Sequence, residues 1–259
     1  MAGLLFFALA LIVSALALAR LSAHEERRMI RDVGLLGIDL FSVIIAIFVG
    51  VSLLYKELAL ETVYAILAKP IARWELVLGK WLGILAILSA QIAVMGAVLA
   101  ATLVVGAGRG ALDASLLSSV WLVLMNVTIV SSVAMLFSAF TSPFLSGLFC
   151  LGVFVVGRLV PDLRRLAERA GGTAGRLIAG VASVLPDLHL FTPPSSFLGA
   201  AHAPEPSARP GELAVSAFGS PVSWPVGFEY LGAVTAYALG YSALVLGLAM
   251  LIFRRRDFV

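Results

Sequence analysis

The sequence is poor in charge and in cysteine. Asp, Glu, Lys and Arg make up only 13% of its 259 residues, whereas a soluble domain of this size would carry about 25%. This shortage excludes an ordinary water-soluble domain, and 61% of the residues are hydrophobic. The single cysteine, Cys150, excludes an intrachain disulfide. Most basic residues flank apolar runs, so bilayer headgroups explain the net charge of +3 better than nucleic acid does.

Motifs that hold phosphate or metal are also missing from the sequence. No G-x-x-x-x-G-K-[ST] loop is present, because Gly79-Lys80 is followed by Trp81 and lacks the upstream glycine. No H-E-x-x-H helix and no pair of cysteines offers the spacing of a zinc site. The chain is therefore expected to be neither an ATPase nor a metal protein. The histidines, all in segments predicted as loops, are His24, His189 and His202.

Long apolar runs fill most of the chain instead. A helix needs about 20 apolar residues to span the hydrocarbon core of a bilayer, and no run shows the alternation of a β-barrel strand. Residues 114–157 carry no charge over 44 positions, so they must fold back once, and Thr141-Ser142-Pro143 is the natural break. We predict one all-α membrane domain over residues 1–259, a bundle of six transmembrane helices. The predicted spans are about 3–19, 34–54, 81–105, 116–138, 144–160 and 229–253.

One stretch outside the spans is amphipathic. Between residues 161 and 185, apolar side chains recur every three or four positions, while the arginines occupy other faces. This pattern predicts a helix in the membrane interface, broken near Gly171-Gly172. Residues 186–227 contain eight of the eleven prolines and are predicted to form an irregular loop. We expect the whole of 161–227 to lie outside the cytoplasm.

The longest charged interruption between two spans covers residues 55–80. Because a charge at the bilayer centre costs roughly 2.5–3.5 kcal/mol, this segment must lie in water or among the headgroups. Residues 57–68 lack glycine and proline and favour a short helix. Pro70 ends that helix and suits the first turn of the next, which is predicted to reach the bilayer at Trp81. A short helix on a rigid corner can transmit a push to the spans.

The same segment carries a recognisable order of residues: Glu57-x4-Thr62-x4-Leu67-x-Lys69-Pro70-x2-Arg73-x-Glu75-x3-Gly79-Lys80. It resembles the coupling region of type-2 ABC transporter permeases, in particular the branch with the permease of the nitrous-oxide-reductase maturation system. Further pieces in the same chain order are similar to that branch, so the resemblance covers nearly the whole chain. They lie at 26–35, 45–50, 185–191 and 253–258.

The resemblance implies the membrane-spanning permease subunit of an ATP-binding cassette exporter in the inner (plasma) membrane. Two permease chains, identical or paralogous, would form the substrate pathway. Two copies of a separate ABC ATPase, which bind ATP and Mg²⁺, would dock on a cytoplasmic coupling helix, so the permease itself would bind no cofactor. The residues implied to contact the ATPase are Glu57, Glu61, Thr62, Leu67, Lys69, Pro70, Arg73 and Glu75.

Two features depart from the family pattern. Permeases of this kind usually begin with a basic amphipathic elbow helix, whereas here Met1 opens almost directly into an apolar run, which we expect to be a retained span. An even number of spans places both termini on one side, and the resemblance implies the cytoplasm. That orientation puts seven basic residues inside and eleven outside, against the positive-inside rule. The long connection 161–227 weakens this count, because long loops follow the rule poorly.

Polar side chains inside the spans are candidates for the transport pathway. Gln91 in the third span and Asn126 in the fourth suit a path through the bundle and packing between helices equally well. Packing is the better explanation for the serines and threonines of the fourth span, which are Thr128, Ser131 and Ser132.

Two other classes of protein stay open. A membrane-embedded scaffold that works without nucleotide would use the 186–227 loop to bind a partner. An ion-coupled carrier is less favoured, because no inverted repeat is visible and no acidic residue is expected near the bilayer midplane. Asp39 is expected near the outer end of the second span.

Overall fold

The computed structural model describes residues 26–59, 73–107, 114–192 and 228–255. These residues are almost entirely helical and contain no β-strand, in agreement with the all-α prediction. The helices in chain order are α1 (Glu26–Ala59), α2 (Arg73–Ala107), α3 (Ala114–Ser138), α4 (Pro143–Arg158), α5 (Val160–Ala170), α6 (Gly172–Val184) and α7 (Phe228–Arg255), with a 3-10 turn (Leu188–Phe191) after α6.

Four of these helices are long and apolar enough to cross a membrane, and their bounds agree with four predicted spans to within four residues. A bent pair, α4 and α5, meets at 65° and gives a fifth candidate. α4 has 16 residues, close to the length of the predicted span 144–160 but fewer than the roughly 20 that cross a bilayer unaided. The predicted span 3–19 lies outside the described residues, and six spans stays a prediction. The four clear spans are Arg31–Ser52, Val77–Val104, Leu116–Ser138 and Tyr230–Ile252.

The chain divides into two compact units. The first comprises the described parts of Met1–Phe41, Ile92–Val123 and Thr192–Ala233. In this unit α1 approaches α2 closely, because a methyl group on Gly34 would overlap the fully buried side chain of Leu99. α2 packs on α3 where a Cβ on Gly96 would lie 3.4 Å from Val120. Small residues allow such close helix contacts inside membranes.

The second unit comprises the described parts of Ser42–Gln91, Leu124–Phe191 and Val234–Val259. Here α1 and α3 meet where a Cβ on Gly50 would lie 2.8 Å from that of Ala134. One turn further on, the hydroxyl of Ser138 donates a hydrogen bond to the carbonyl oxygen of Val51 over 3.4 Å. Since a larger residue at position 50 would force these helices apart, this contact depends on glycine.

The predicted break at Thr141-Ser142-Pro143 is confirmed. α3 ends at Ser138, and Pro143 occupies the first turn of α4, where its missing N–H costs nothing. α4 then folds back on α3, with the Sγ atom of the buried Cys150 lying 3.7 Å from the carbonyl oxygen of Val130. The two helices form a hairpin whose turn is fixed by the sequence.

The amphipathic stretch after α4 forms a second hairpin. Gly171 and Gly172 have φ angles of 58° and 56°, a region in which glycine avoids the steric cost of a side chain, and they separate α5 from α6 as predicted. The two helices pack closely, because a Cβ on Gly175 would lie 2.5 Å from the carbonyl oxygen of Ala167. The stretch is therefore two short helices packed on each other.

Candidate functional site

The charged segment 55–80 covers the end of α1, the start of α2 and the residues between these two helices. α1 runs without a break from its span, which ends at Ser52, to Ala59, so Glu57 belongs to α1. Residues 57–59 of the helix predicted over 57–68 are helical and continue α1 without a break, and the rest of that predicted helix lies outside the described residues. Residues 53–59 contain no glycine or proline that would end α1.

α2 also begins before Trp81, the residue at which the sequence predicted entry into the bilayer. α2 starts at Arg73, and its span begins at Val77 rather than at Trp81. Glu75 is exposed in its first turn, where a carboxylate interacts favourably with the positive end of the helix dipole. Trp74 is 54% exposed beside it and was not singled out from the sequence. The other coupling residues lie outside the described part of the chain: Glu61, Thr62, Leu67, Lys69 and Pro70.

Both candidate pathway residues are buried in the second unit. Gln91 on α2 is 8% exposed and Asn126 on α3 is fully buried. The hydroxyls of Ser131 and Ser132 donate to carbonyl oxygens of α3 itself, at 2.9 and 2.7 Å. Their hydrogen bonds are thus satisfied within the helix, which agrees with a packing role. The amide side chains of Gln91 and Asn126 remain the better candidates for a transport path.

Asp39 lies within the first of the four candidate spans. The span extends from Arg31 to Ser52, so Asp39 is about 4 Å along the axis from its midpoint. Its side chain is buried, with 6% exposure. The expectation that it lies near the outer end of the bilayer stays a prediction, because the helix bounds alone do not fix its depth. Acidic side chains buried within a membrane span are costly and commonly functional.

The segment Leu185–Phe191 brings the chain back from the second hairpin into the second unit. Leu188 and Phe191 are almost completely buried. The close approach depends on Gly157 at the end of α4, because a Cβ there would lie 2.8 Å from the carbonyl oxygen of Pro186 and 3.0 Å from the side chain of Leu188. Packing of these apolar groups fixes the segment against α4.

Two tyrosines of α7 also hold this segment. The main-chain N–H of Asp187 donates a hydrogen bond to the hydroxyl oxygen of Tyr237 over 3.0 Å. The hydroxyl of Tyr241 donates to the carbonyl oxygen of Val184 over 3.3 Å. The ring of Phe191 stacks on that of Tyr237, with centroids 6.2 Å apart. The end of the second hairpin is thereby fastened to the last helix.

An ion pair joins the segment to α5. Nη1 of Arg164 lies 3.4 Å from Oδ2 of Asp187, and the arginine side chain is 54% exposed whereas that of Asp187 is 9% exposed. Burial raises the pKa of the Asp187 carboxyl above its usual range. The positive charges of Arg164 and His189, and the main-chain N–H of His189, oppose this rise. Sequence reasoning missed this pairing.

A groove of about 430 Å³ opens between the end of α3, the outer face of α4 and the end of α6. Its lining side chains are apolar, so it suits hydrocarbon better than a polar solute. Within the described part of the chain, no group of three or more His, Cys, Asp or Glu residues is placed to hold a metal ion. The groove is lined by Phe137, Leu148, Phe149, Gly152, Val153, Val156, Val181 and Leu185.

Comparison with known proteins decides what kind of membrane protein carries these features. The family model of the ABC-2 family transporter proteins matches residues 8–258. The chain belongs to the ABC-2 transporter family. The type-2 ABC permease identified by resemblance is thus confirmed, and the chain is the membrane component of an ABC transporter. A search of the curated proteins found no match for this permease.

Family membership bears directly on the charged segment. ABC-2 permeases work with an ABC ATPase subunit, so the permease is expected to need a site where that subunit docks. The same membership favours a permease over a scaffold that works without nucleotide. The assignment to the nitrous-oxide-reductase maturation branch is finer than the match to the whole family and stays a prediction.

Proposed function

We propose that this permease is one of two chains that form the substrate pathway of an ABC exporter, driven by an ATPase that docks on residues 57–75. ATP binding and hydrolysis, with Mg²⁺, take place on two copies of the partner ATPase. Both termini face the cytoplasm of a cell whose inner membrane holds the complex. The order of motifs supports a relationship to the nitrous-oxide-reductase maturation branch.

The observation that carries this proposal is the length of α1 and α2. α1 continues seven residues beyond the end of its span at Ser52, about 10 Å, and α2 starts four residues before its span at Val77. The charged connection is therefore attached to two continuous helices. A force applied at the end of α1 or at the start of α2 reaches its span along an unbroken helix, as rigid-body transport motions require.

Contacts at the base of α1 support the same route. Gly50 packs against Ala134, and Ser138 donates to the carbonyl oxygen of Val51, within the last turns of the α1 span. A displacement of α1 thus acts directly on α3. α3 carries Asn126, the fully buried amide that we propose as a pathway residue together with Gln91 on α2.

The start of α2 supplies a surface suited to a partner. Trp74 is half exposed and Glu75 is exposed beside it. An aromatic side chain next to a charge is typical of the residues that dominate protein interfaces. We propose that these two residues contact the ATPase together with Glu57, Arg73 and the connection between them.

The test uses the permease reconstituted in vesicles with its ATPase. Pro70→Ala should lower substrate-stimulated ATPase activity and transport while leaving membrane insertion intact, because the rigid corner predicted at Pro70 would be lost. The matched control is Gly79→Ala, since a Cβ at position 79 would meet nothing within 4 Å. Equal stimulation in Pro70→Ala and in the control would contradict the proposed coupling.

A pull-down separates the permease from a scaffold. The tagged chain, extracted in mild detergent, should bring down an ABC ATPase in equal amount, together with a second permease chain. A scaffold that works without nucleotide should bring down other partners and no ATPase. Absence of an ATPase from the pull-down would contradict the transporter proposal, whatever the Pro70→Ala variant shows.

A further inference from the structure

The segment Leu185–Phe191 is held by two kinds of contact that respond differently to charge. The first kind is apolar and main-chain: buried Leu188 and Phe191, the close approach at Gly157, and the hydrogen bond from the Asp187 N–H to Tyr237. None of these contacts needs a charged carboxylate at position 187. They keep the segment on α4 and α7 in either protonation state of Asp187.

The second kind is the ion pair with Arg164. The Asp187 side chain is almost completely removed from water, and its Oδ1 has no hydrogen-bond partner among the described residues. A buried carboxylate is costly unless its oxygens are paired. Oδ2 faces one guanidinium at 3.4 Å, and that guanidinium is half exposed to solvent. Arg164 can therefore leave and be solvated, whereas Asp187 cannot leave without pulling out the segment.

The charged and titratable groups around Asp187 determine whether its carboxyl is charged and pairs with Arg164. Arg164 faces it from α5, His189 from the 3-10 turn and Tyr237 from α7. On α4, the guanidinium of Arg158 lies over the ring of Phe154, 5.2 Å from its centroid. Burial makes the neutral form of Asp187 easier to reach than in an exposed aspartate, while Arg164 and His189 favour the charged form.

We propose that Arg164 and Asp187 form a releasable latch between α5 and the last helix. With Asp187 charged, α5 is held on the buried segment and, through Tyr237, on α7. With Asp187 neutral, the segment stays buried and α5 is released. The latch is a property of the permease chain itself and does not depend on ATPase docking.

The test measures two distances by spin-label spectroscopy on the full chain in nanodiscs, without the ATPase. Cys150 is replaced by serine, and labels are attached at Glu168→Cys on α5 and Leu244→Cys on α7, both exposed positions. The unmodified latch should give one narrow distance distribution. Asp187→Asn and Arg164→Gln should each add a longer-distance population. The matched control is Arg165→Gln, the exposed neighbour of Arg164.

A second label pair reports on the segment. Labels at Val184→Cys, an exposed position immediately before the segment, and Leu244→Cys should give the same distribution with Asp187→Asn as without it, because the apolar and main-chain contacts persist. If this distance also lengthens, the substitution has undocked the segment and the latch is wrong. The latch is also overturned if Asp187→Asn and Arg164→Gln both match Arg165→Gln in the first pair.

Acidification gives a third readout, and the raised pKa of Asp187 fixes the direction of the expected change. Asp187 should take up its proton above the ordinary aspartate value of about 3.9. The latch is thus closed above that transition and open below it. The wild-type 168–244 distribution should acquire the longer population on acidification, and Asp187→Asn should not change further. A wild-type distribution that stays narrow down to about pH 4 would contradict the latch.

Discussion

Two regions of the second unit use charge in opposite ways. Around the connection between α1 and α2, Glu75 and Trp74 are exposed, and both helices extend beyond their spans. Around the second hairpin, Asp187 is buried against Arg164, and its main-chain N–H donates a hydrogen bond to Tyr237 of α7. The first region exposes charge that the proposed docking of the ATPase would use, whereas the second buries charge in an ion pair within the chain.

This difference indicates which substitutions should leave the folded permease stable. A substitution in the first region should alter docking and transmission while stability changes little, because exposed side chains contribute little to folding. A substitution in the second region should alter stability or the position of α5, because its contacts are buried. A substitution in the first region that strongly lowers stability, or one in the second region that changes neither stability nor the position of α5, would contradict this comparison.

The largest effect is expected at Phe191. Its fully buried ring stacks on Tyr237, so Phe191→Ala should lower stability by about 3–5 kcal/mol. The matched control is Phe144→Ala on α4, where the ring is 83% exposed and a far smaller loss is expected. Thermal unfolding in nanodiscs compares the two. Equal losses would show that the returning segment is not anchored as described.

A smaller loss of stability is expected at Gly50, which lies in the part of α1 that leads to the charged segment 55–80. Gly50→Ala places a Cβ 2.8 Å from that of Ala134 and should cost about 1–3 kcal/mol, because α1 and α3 must separate. Gly83→Ala on α2 is the control, since a Cβ there meets nothing within 4 Å. The control should be neutral or slightly stabilising. The apparent melting temperature distinguishes them, and a Gly50→Ala protein as stable as Gly83→Ala would argue against the close contact.

Local signals in the sequence predicted the breaks well. Thr141-Ser142-Pro143 ends one helix and starts another because proline suits only a first turn, and Gly171-Gly172 separates α5 from α6 through its positive φ angles. The long apolar runs likewise predicted four spans to within four residues. Each of these features depends on residues that are neighbours in the chain.

Features that depend on the extent of a helix beyond its apolar run, or on distant partners, could not be read in this way. α1 begins at Glu26, eight positions before the predicted span, because charged residues there continue the helix. Asp187 and Tyr237 are 50 positions apart, and no periodicity links them. Glu57 was placed in a short helix after the second predicted span, whereas α1 continues from that span to Ala59 without a break.

The most direct test of ATPase docking is a cross-link from Glu75, which is exposed in the first turn of α2. A photoreactive residue at position 75 is introduced into membranes that contain both the permease and its ATPase, with position 165 on α5 as the control. Illumination should join the ATPase to position 75 and not to position 165. An adduct only from position 165, or none from position 75, would contradict the account.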